Sequence, residues 1–332
     1  MRRLTLILSD LYLPEEARHG DAIPMTQAMP NLEWLLRLSG GAERIGDWRR
    51  WLIEQAAPDL GNLPVASISA HERVDGRDLE STWLATPVAL EARLDHVRLL
   101  DRGLLRLDEA ERTSCCQEFT RVFGPQYLLH DGGERAFFLS GLPAAGVSTT
   151  DPARLLGTEI GPAMPKREAR ELRRLWAEIE MWLQNAAFNT ARERAGKHRV
   201  SALWLWGAAS APSVRGRVEP WHANATFYGS DPMITALDRS RGGRARGVPK
   251  EFSQIDSDAT HVVMEFATLT GAPPESLAAL DAHWLATVKA ALAAGDIHEL
   301  ELVANDRLFR TGARPQWKFW RRHRHWLASL TS

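Results

Sequence analysis

The pattern of apolar and polar positions is clearest between Glu171 and Gly207. Apolar residues recur there at helical steps, which places them on one face of a long amphipathic helix: Leu172, Leu175, Trp176, Ile179, Trp182, Leu183 and Ala186. Gly196 is placed to end that helix. The apolar run from Val200 to Trp206 is then typical of a buried strand. We therefore expect a helix, a turn and a strand around which the rest of the chain is organised.

The segments on either side alternate between short apolar runs and amphipathic stretches. Strands are predicted at Leu4 to Leu8, Ala225 to Tyr228, His261 to Phe266 and Leu300 to Val303, and helices at Asn31 to Leu38, after Asp231, and at Glu275 to Ala294. Such alternation predicts an α/β fold, with a mostly parallel sheet covered by helices. Residues 1–40 and 200–316 together would form this discontinuous sheet domain.

The middle of the chain has a different texture. Apolar residues alternate with a period of two from Val88 to Leu94, and Asp108 can cap a helix that runs to Phe123. A hairpin turn is predicted at Asp131-Gly132-Gly133. Residues 41–165 would therefore form an inserted α+β subdomain, residues 166–199 the organising helix, and residues 317–332 a basic aromatic C-terminal segment.

Composition narrows the class of protein without indicating a reaction. The formal net charge of −1 over 332 residues selects neither nucleic acid nor an acidic membrane through a global field. The two cysteines, Cys115 and Cys116, are adjacent and lack metal-ligand spacing, which predicts packing residues in a reducing cytoplasm. No apolar run is long enough to predict a membrane span, and the 13 tryptophans favour extensive core packing.

Candidate chemistry lies where the predicted parallel strands end, because ligands of such sheets bind beyond those ends. Asp10 follows the first strand and is the best single candidate, either as a ligand-orienting carboxylate or as a cap bonded to backbone amides. Ser9 or Ser210 as a nucleophile would need a neighbouring base, and Gly207 to Ser210 lacks the Lys of a phosphate loop. The scattered histidines have no metal-binding spacing, and His261 is expected to be a satisfied core residue.

A second candidate set lies on the polar face of the organising helix, at Glu178, Asn185, Asn189 and Arg192. Arg192 could bind a carboxylate or phosphate through two parallel hydrogen bonds, or the face could be solvated and paired in salt bridges. We take Asn189, Arg192 and Trp206 as candidate ligand-binding residues.

The C-terminal segment mixes cations with indoles from Trp317 to Trp326. Such a mixture can neutralise phosphates and stack bases, which makes Arg321, Arg322, Arg324 and Trp326 candidates for a nucleic acid or protein partner. The same residues could lie at a membrane surface. We favour a third arrangement, in which the indoles dock onto the sheet and the arginines remain in water.

Three motifs resemble a bacterial family whose members are labelled phosphoglycerate-mutase-like. They are the helix Glu178-Ile179-Glu180-Met181, the turn with Asn189, Arg192 and Gly196, and the strand Leu203-Trp204-Leu205-Trp206-Gly207. The family has Gln where Glu180 stands, and Ser near Ala202. The resemblance implies kinship with cofactor-independent phosphoglycerate mutases and the alkaline phosphatase superfamily, whose first strand ends in a metal-binding Asp that Asp10 matches.

The same resemblance implies two metal ions and a Ser or Thr nucleophile, with later ligands in D-x-x-G-H and D-H motifs. This chain instead has Ala267-Thr268-Leu269 and Ala304-Asn305-Asp306 at the comparable positions. A two-metal centre requires several converging ligands. The leading hypothesis is therefore a degenerate phosphoglycerate-mutase-like protein without a resident cofactor, which binds a small anionic ligand or a macromolecular partner.

Two alternatives remain open. One is a metal-dependent phosphomutase or phosphatase in which Asp10, Asp231 and Asp306 hold a divalent metal such as Mn or Zn. The other is a nucleic-acid-associated protein that uses the C-terminal Arg/Trp segment.

Overall fold

The computed structural model describes residues 3–11, 28–39, 41–71, 73–74, 79–144, 147–166, 169–208, 225–244, 246–256, 258–267, 275–304, 306–312, 325–326 and 329. Two compact units emerge from the chain. The first comprises Met1–Pro58, Arg217–Ser230 and Leu237–Ser332, and the second comprises Asp59–Gly216 and Asp231–Ala236.

The first unit contains a six-stranded mixed sheet in the order β2-β11-β10-β1-β9-β8. Its strands are β1 (Arg3–Leu8), β2 (Ala42–Arg44), β8 (Ala225–Tyr228), β9 (His261–Phe266), β10 (Glu299–Ala304) and β11 (Arg307–Gly312). The strands β10, β1, β9 and β8 are parallel, whereas β11 and β2 extend the sheet antiparallel. The prediction of an α/β fold with a mostly parallel sheet and helices is confirmed.

The first unit also contains helices, some of which contribute apolar residues to the core of this sheet. Those whose residues lie wholly in the first unit are α1 (Pro30–Leu38), α2 (Trp48–Ala56) and a continuous helix made of α8 (Glu275–Ala279), a π-helical segment (Leu280–Leu285) and α9 (Ala286–Ala294). The first-unit core combines alternate residues of the central strands, such as Leu4, Leu6 and Val262, with Leu32 of α1 and Leu292 of α9. The left-handed Gly295, with φ of 85°, follows the last residue of α9, and the helix ends at Ala294 as the sequence predicted.

One helix among the described residues, Leu277–Ala294, is long and apolar enough to cross a membrane by length and composition alone. Its residues Leu280, Leu285, Val288 and Leu292 belong to the core of the first unit. A core helix of an α/β protein meets the same length and composition criteria. The expectation of no membrane span stays a prediction, as does a cytoplasmic location.

The second unit contains a five-stranded antiparallel sheet. Its strands are β3 (Trp83–Ala92), β4 (Val97–Leu104), β5 (Leu128–Asp131), β6 (Phe137–Ser140) and β7 (Ala202–Trp206), and β3 pairs with β4, β6 and β7. Its helices are α3 (Val65–Ala70), α4 (Glu109–Phe123), α5 (Arg170–Asn185) and α6 (Ala187–Arg194). The next helix in the chain, α7 (Pro232–Ser240), begins in this unit, where the Asp231 carboxylate accepts from the Met233 N–H at 2.9 Å. The predicted α4 and the β5–β6 hairpin are both present.

Two expectations about the organising stretch are wrong. The strand from Val200 to Trp206 was expected in the parallel sheet with residues 1–40, but β7 pairs antiparallel with β3 in the second sheet. The single helix is divided, because Ala186 adopts an extended conformation with ψ of 134° between α5 and α6. An apolar strand suits either sheet by its own pattern, and its partner is fixed only by contacts distant in sequence.

The domain boundaries differ accordingly from the predicted 1–40, 41–165, 166–199 and 200–316. The strand β2 and the helix α2 belong to the first unit, and the organising helices belong to the second. The second-unit core joins the α5 face predicted from periodicity, including Leu172 and Ile179, to strand residues such as Phe137 and Leu203. Cys115 is buried in this core, and burial raises the pKa of the Cys116 thiol to about 12.

Candidate functional site

The carboxyl edge of the first sheet brings together polar groups from three strands. The Ser9 hydroxyl donates to the Glu265 carboxylate, and the Ser230 N–H donates to Oε2 of the same carboxylate at 3.1 Å. The Ser9 N–H donates to the Phe266 carbonyl at 3.1 Å. These contacts join the ends of β1, β8 and β9 through one buried carboxylate.

Asp10 lies at this edge and is fully buried. Asp306 lies at the same edge, because Leu8 pairs with Ala304 in the parallel β1–β10 ladder. The Asp306 carboxylate is 3.4 Å from Nε of Arg307 and remains 42% exposed. Asp231 belongs to the second unit, where it caps α7. Metal ligation by Asp10, Asp231 and Asp306 stays a prediction, and within the described residues no group of three or more His, Cys, Asp or Glu could hold a metal ion.

Glu265 is the polar residue at this edge that the sequence did not single out. It occupies the next-to-last position of the apolar strand β9 and is only 1% exposed. A carboxylate at that position in a buried strand requires donors, which Ser9 and the Ser230 backbone supply. The sequence therefore held an indication, since Glu265 is the single acidic residue of β9 and follows three apolar residues, but periodicity alone could not interpret it.

His261 lies at the opposite end of β9, in a buried polar chain. Its Nε2 is 2.9 Å from the Thr5 hydroxyl, and that hydroxyl donates to Glu301 at 2.9 Å. Arg310 Nε then contacts the same carboxylate at 3.2 Å. His261 is thus a hydrogen-bonded core residue, as its position in the strand indicated.

The three candidate ligand-binding residues all bond to protein groups in the second unit. Asn189 donates to the carbonyls of Leu183 and Val200 and accepts from the Val200 N–H, each at 2.8 Å. The Trp206 indole N–H donates to the Thr86 hydroxyl at 2.9 Å. These contacts connect α6 and β7 to their surroundings, and ligand binding at Asn189 and Trp206 stays a prediction.

Arg192 is buried and forms a 2.6 Å contact from Nη1 to Glu111. Its Nε donates to the His198 carbonyl at 3.0 Å. Glu111 also accepts from Lys197 and completes the capping box with Asp108 at the start of α4. The break at Ala186 separates Arg192 from the α5 face that carries Glu178, so the predicted polar set is not continuous. Anion binding by Arg192 stays a prediction.

The C-terminal candidates are divided by the structure. Trp326 is fully buried in the core of the first unit, and its backbone N–H donates to the Glu33 carboxylate at 3.3 Å. A fully buried indole has no free face for a base to stack on, so Trp326 supports the docked arrangement. Arg321, Arg322 and Arg324, together with Ser210 of the predicted loop, lie outside the described residues. A nucleic acid or protein partner for the arginines stays a prediction.

A pocket of about 370 Å³ lies in the second unit, on the exposed face of α5. It is lined by Gln126, Tyr127, Arg170, Glu171, Arg174, Leu175 and Glu178. Among the predicted residues that the structure describes, only Glu178 lines this pocket, and its carboxylate is paired with Arg174 at 2.8 Å. The other lining residues were missed because the sequence does not show that Gln126 and Tyr127 lie beside the first turns of α5.

Comparisons with known proteins give distant similarity. No protein-family model matches the chain. The 2,3-bisphosphoglycerate-independent phosphoglycerate mutase 2 of Methanothermobacter thermautotrophicus is 24% identical over 200 residues. That alignment covers 57% of this chain and 48% of the archaeal protein, so the chain spans about half the length of this curated relative. The similarity agrees with the phosphoglycerate-mutase-like resemblance of the sequence motifs.

Two solved structures are similar over most of their length. The cofactor-independent phosphoglycerate mutase from Thermoplasma acidophilum has a TM-score of 0.33 and 13% identity, and covers 93% of this chain and 88% of its own. The PH0037 protein from Pyrococcus horikoshii has a TM-score of 0.45 and 14% identity, and covers 95% of this chain and 88% of its own.

Proposed function

We propose that this chain is a phosphoglycerate-mutase-like protein that binds a small anionic ligand, and that it recognises the carboxylate group of that ligand. We further propose that it does not use the sheet edge at Asp10 for metal-dependent phosphoryl transfer. The observation that carries the proposal is the α5 pocket, where Arg170 opens onto a cavity of about 370 Å³. That volume lies within the range of natural small-ligand sites, roughly 300–1,000 Å³.

Arg170 has the properties of a carboxylate-binding residue. It is exposed, and within the described part of the chain it makes no ion pair that a ligand would have to displace. A guanidinium group offers two parallel N–H donors that match the two oxygens of a carboxylate. Arg174 lies one helical turn further along α5 and adds positive charge, which its contact with Glu178 partly neutralises. Within the described residues, a ligand carboxylate therefore has no ion pair to displace at Arg170.

The contacts at the sheet edge support the second part of the proposal. Both oxygens of Glu265 accept hydrogen bonds, from the Ser9 hydroxyl and the Ser230 N–H. A carboxylate engaged in this way would have to exchange protein donors for a cation. The role that fits these contacts is to hold three strand ends together.

Calorimetric titration of the full chain with 4-methylpentanoate and with 3-phosphoglycerate tests the proposal. We expect 4-methylpentanoate to bind. Arg170→Gln should weaken that binding about tenfold or more, and Arg173→Gln should leave it unchanged. Arg173 is an exposed residue on the same helix that does not line the pocket. Binding that ignores Arg170 would contradict the proposal.

Metal analysis and activity assays test the sheet edge. We expect purified protein to lack stoichiometric Mn or Zn and to turn over neither a phosphomonoester nor phosphoglycerate. Stoichiometric metal together with turnover that is lost in Asp10→Ala would instead establish the phosphoryl-transfer alternative.

A further inference from the structure

We propose that the α5 pocket is selective for a zwitterion of the free amino-acid class, with a carboxylate on Arg170 and an ammonium group on Glu171. This inference rests on the proposed function and adds the requirement for a positive group on the ligand. A pocket that bound only an anion would not need the ammonium subsite at Glu171.

The charges of the pocket are the first argument. Four charged residues line it, of which Arg174 and Glu178 neutralise each other at 2.8 Å. The remaining pair, Arg170 and Glu171, make no ion pair within the described residues. A ligand with one charge of each sign satisfies both, whereas a simple anion leaves Glu171 uncompensated and is repelled by it. A phosphate dianion would experience that repulsion more strongly.

The hydrogen bonds around Glu171 are the second argument. The Tyr127 hydroxyl donates to Oε1 of Glu171 at 3.2 Å, and Gln126 Nε2 donates to the Tyr127 oxygen at 2.9 Å. This chain orients the carboxylate at one edge of the pocket. Burial, with the nearby Glu171 charge, raises the pKa of the Tyr127 phenol, so the phenol remains a neutral donor. Among the described residues, the Glu171 carboxylate therefore has a hydrogen-bond donor in Tyr127 but no ion-pair partner.

The apolar lining is the third argument. Leu175 is buried in the core of the second unit and contributes to the pocket lining, and the ring of Tyr127 is also largely buried. Such a surface favours contact with a short apolar side chain. Arg170, Glu171 and this apolar lining together match the carboxylate, the ammonium group and the side chain of an aliphatic amino acid.

A matched series of three probes tests the inference by titration calorimetry on the full chain. L-leucine carries both charged groups, 4-methylpentanoate lacks the ammonium group, and 3-methylbutylamine lacks the carboxylate. We expect L-leucine to bind about tenfold or more tightly than either of the others, because each lost charged contact is worth about that factor.

Variants assign each charged group to its residue. Arg170→Gln should abolish the advantage of L-leucine over 3-methylbutylamine, and Glu171→Gln should abolish its advantage over 4-methylpentanoate. Arg173→Gln should change neither ratio. Arg170 and Glu171 are exposed, and circular dichroism with thermal melting verifies that each variant is folded.

The outcomes separate this inference from the proposed function. If L-leucine and 4-methylpentanoate bound equally, and both depended on Arg170, the selectivity for a zwitterion would be overturned and the carboxylate site would remain. Equal binding of L-leucine and 3-methylbutylamine, or binding of none of the three probes at millimolar concentration, would overturn both.

Discussion

Single buried polar side chains form hydrogen bonds to backbone groups that the helices and strands do not satisfy. Asn189 is the clearest case, because its side chain bonds to the end of α5 and to both backbone groups of Val200 before β7. Periodicity placed Asn189 on a polar helix face and suggested a ligand, since the sequence does not show that the helix breaks at Ala186. Residue type and spacing thus identified an important position, but the contact that explains it depends on the three-dimensional path of the chain.

Replacing Asn189 by Ala should lower the free energy of unfolding by about 3 kcal/mol, because buried backbone groups lose their partners. Urea denaturation followed by circular dichroism measures this loss. The exposed Asn185, which makes one long 3.4 Å contact, provides the control, and its change to Ala should alter stability by no more than about 0.5 kcal/mol. Equal stability of the two variants would show that the Asn189 contacts do not hold α6 to β7.

Glu180 stands where the resembling family has Gln, and half-burial raises the pKa of its carboxyl group. A carboxyl with a raised folded-state pKa favours the fold while it is protonated, and that contribution is lost as pH rises through the folded pKa. Glu180→Gln should therefore be more stable than the wild type at neutral pH. The two proteins should become equally stable at pH values below the pKa of an unperturbed glutamate. Thermal melts across this range measure the difference, and a constant difference at every pH would contradict the assignment.

At the scale of elements, periodicity predicted well which segments form helices and which form strands. The alternation around Val88, the Asp108 cap of α4 and the helix end predicted at Ala294 all correspond to features of the structure. These features are local, because each depends on residues within one or two turns. Pairing is not local. The strand β7 and the edge strand β2 could be placed only by partners far away in the chain.

The start of α1 depends on another element in the same way. Asp281, in the π-helical segment, accepts from the Leu32 N–H at 2.8 Å and from the Asn31 N–H at 3.2 Å. The Asn31 side chain, at the predicted start of this helix, also donates to Asp281. A carboxylate from a neighbouring helix thus accepts hydrogen bonds from amides that have no partner within the first turn of α1.

Asp281→Ala should destabilise the protein by about 2 kcal/mol, the upper range for loss of a helix cap. Hydrogen exchange should show the loss of protection concentrated in the first turn of α1. Asp296 is exposed, and within the described residues its side chain forms no hydrogen bond or ion pair, so Asp296→Ala is the matched control. Uniform exchange across the first unit after Asp281→Ala would argue against a local capping role.

At the scale of the whole molecule, the C-terminal region is connected to the opening of the chain. Trp326 lies in the same core cluster as Leu4 and Leu32, and its backbone bonds to Glu33 of α1. The sequence predicted a docked indole but could not distinguish it from an indole that stacks on bases, since tryptophan serves both uses. The candidate pocket was even less accessible to prediction, because it combines residues near 126 with residues near 170.

Trp326→Ala should cost about 3–5 kcal/mol, the usual penalty for removing a large buried aromatic side chain. Chemical denaturation of the full chain measures this change. Binding to single-stranded DNA at several salt concentrations provides the second readout. A stable Trp326→Ala variant that has lost DNA affinity would favour the nucleic-acid role over docking.

The position of β1 in the first sheet has a consequence for biosynthesis. This strand, made of Arg3–Leu8, lies between β9 and β10, so its partners emerge from the ribosome only after residues 261–266 and 299–304 are translated. The strands of the second sheet all fall between Trp83 and Trp206 and can pair well before then. We expect the second unit to fold first on the nascent chain. Until the partner strands are translated, the apolar residues of β1 remain unpaired and accessible to chaperones.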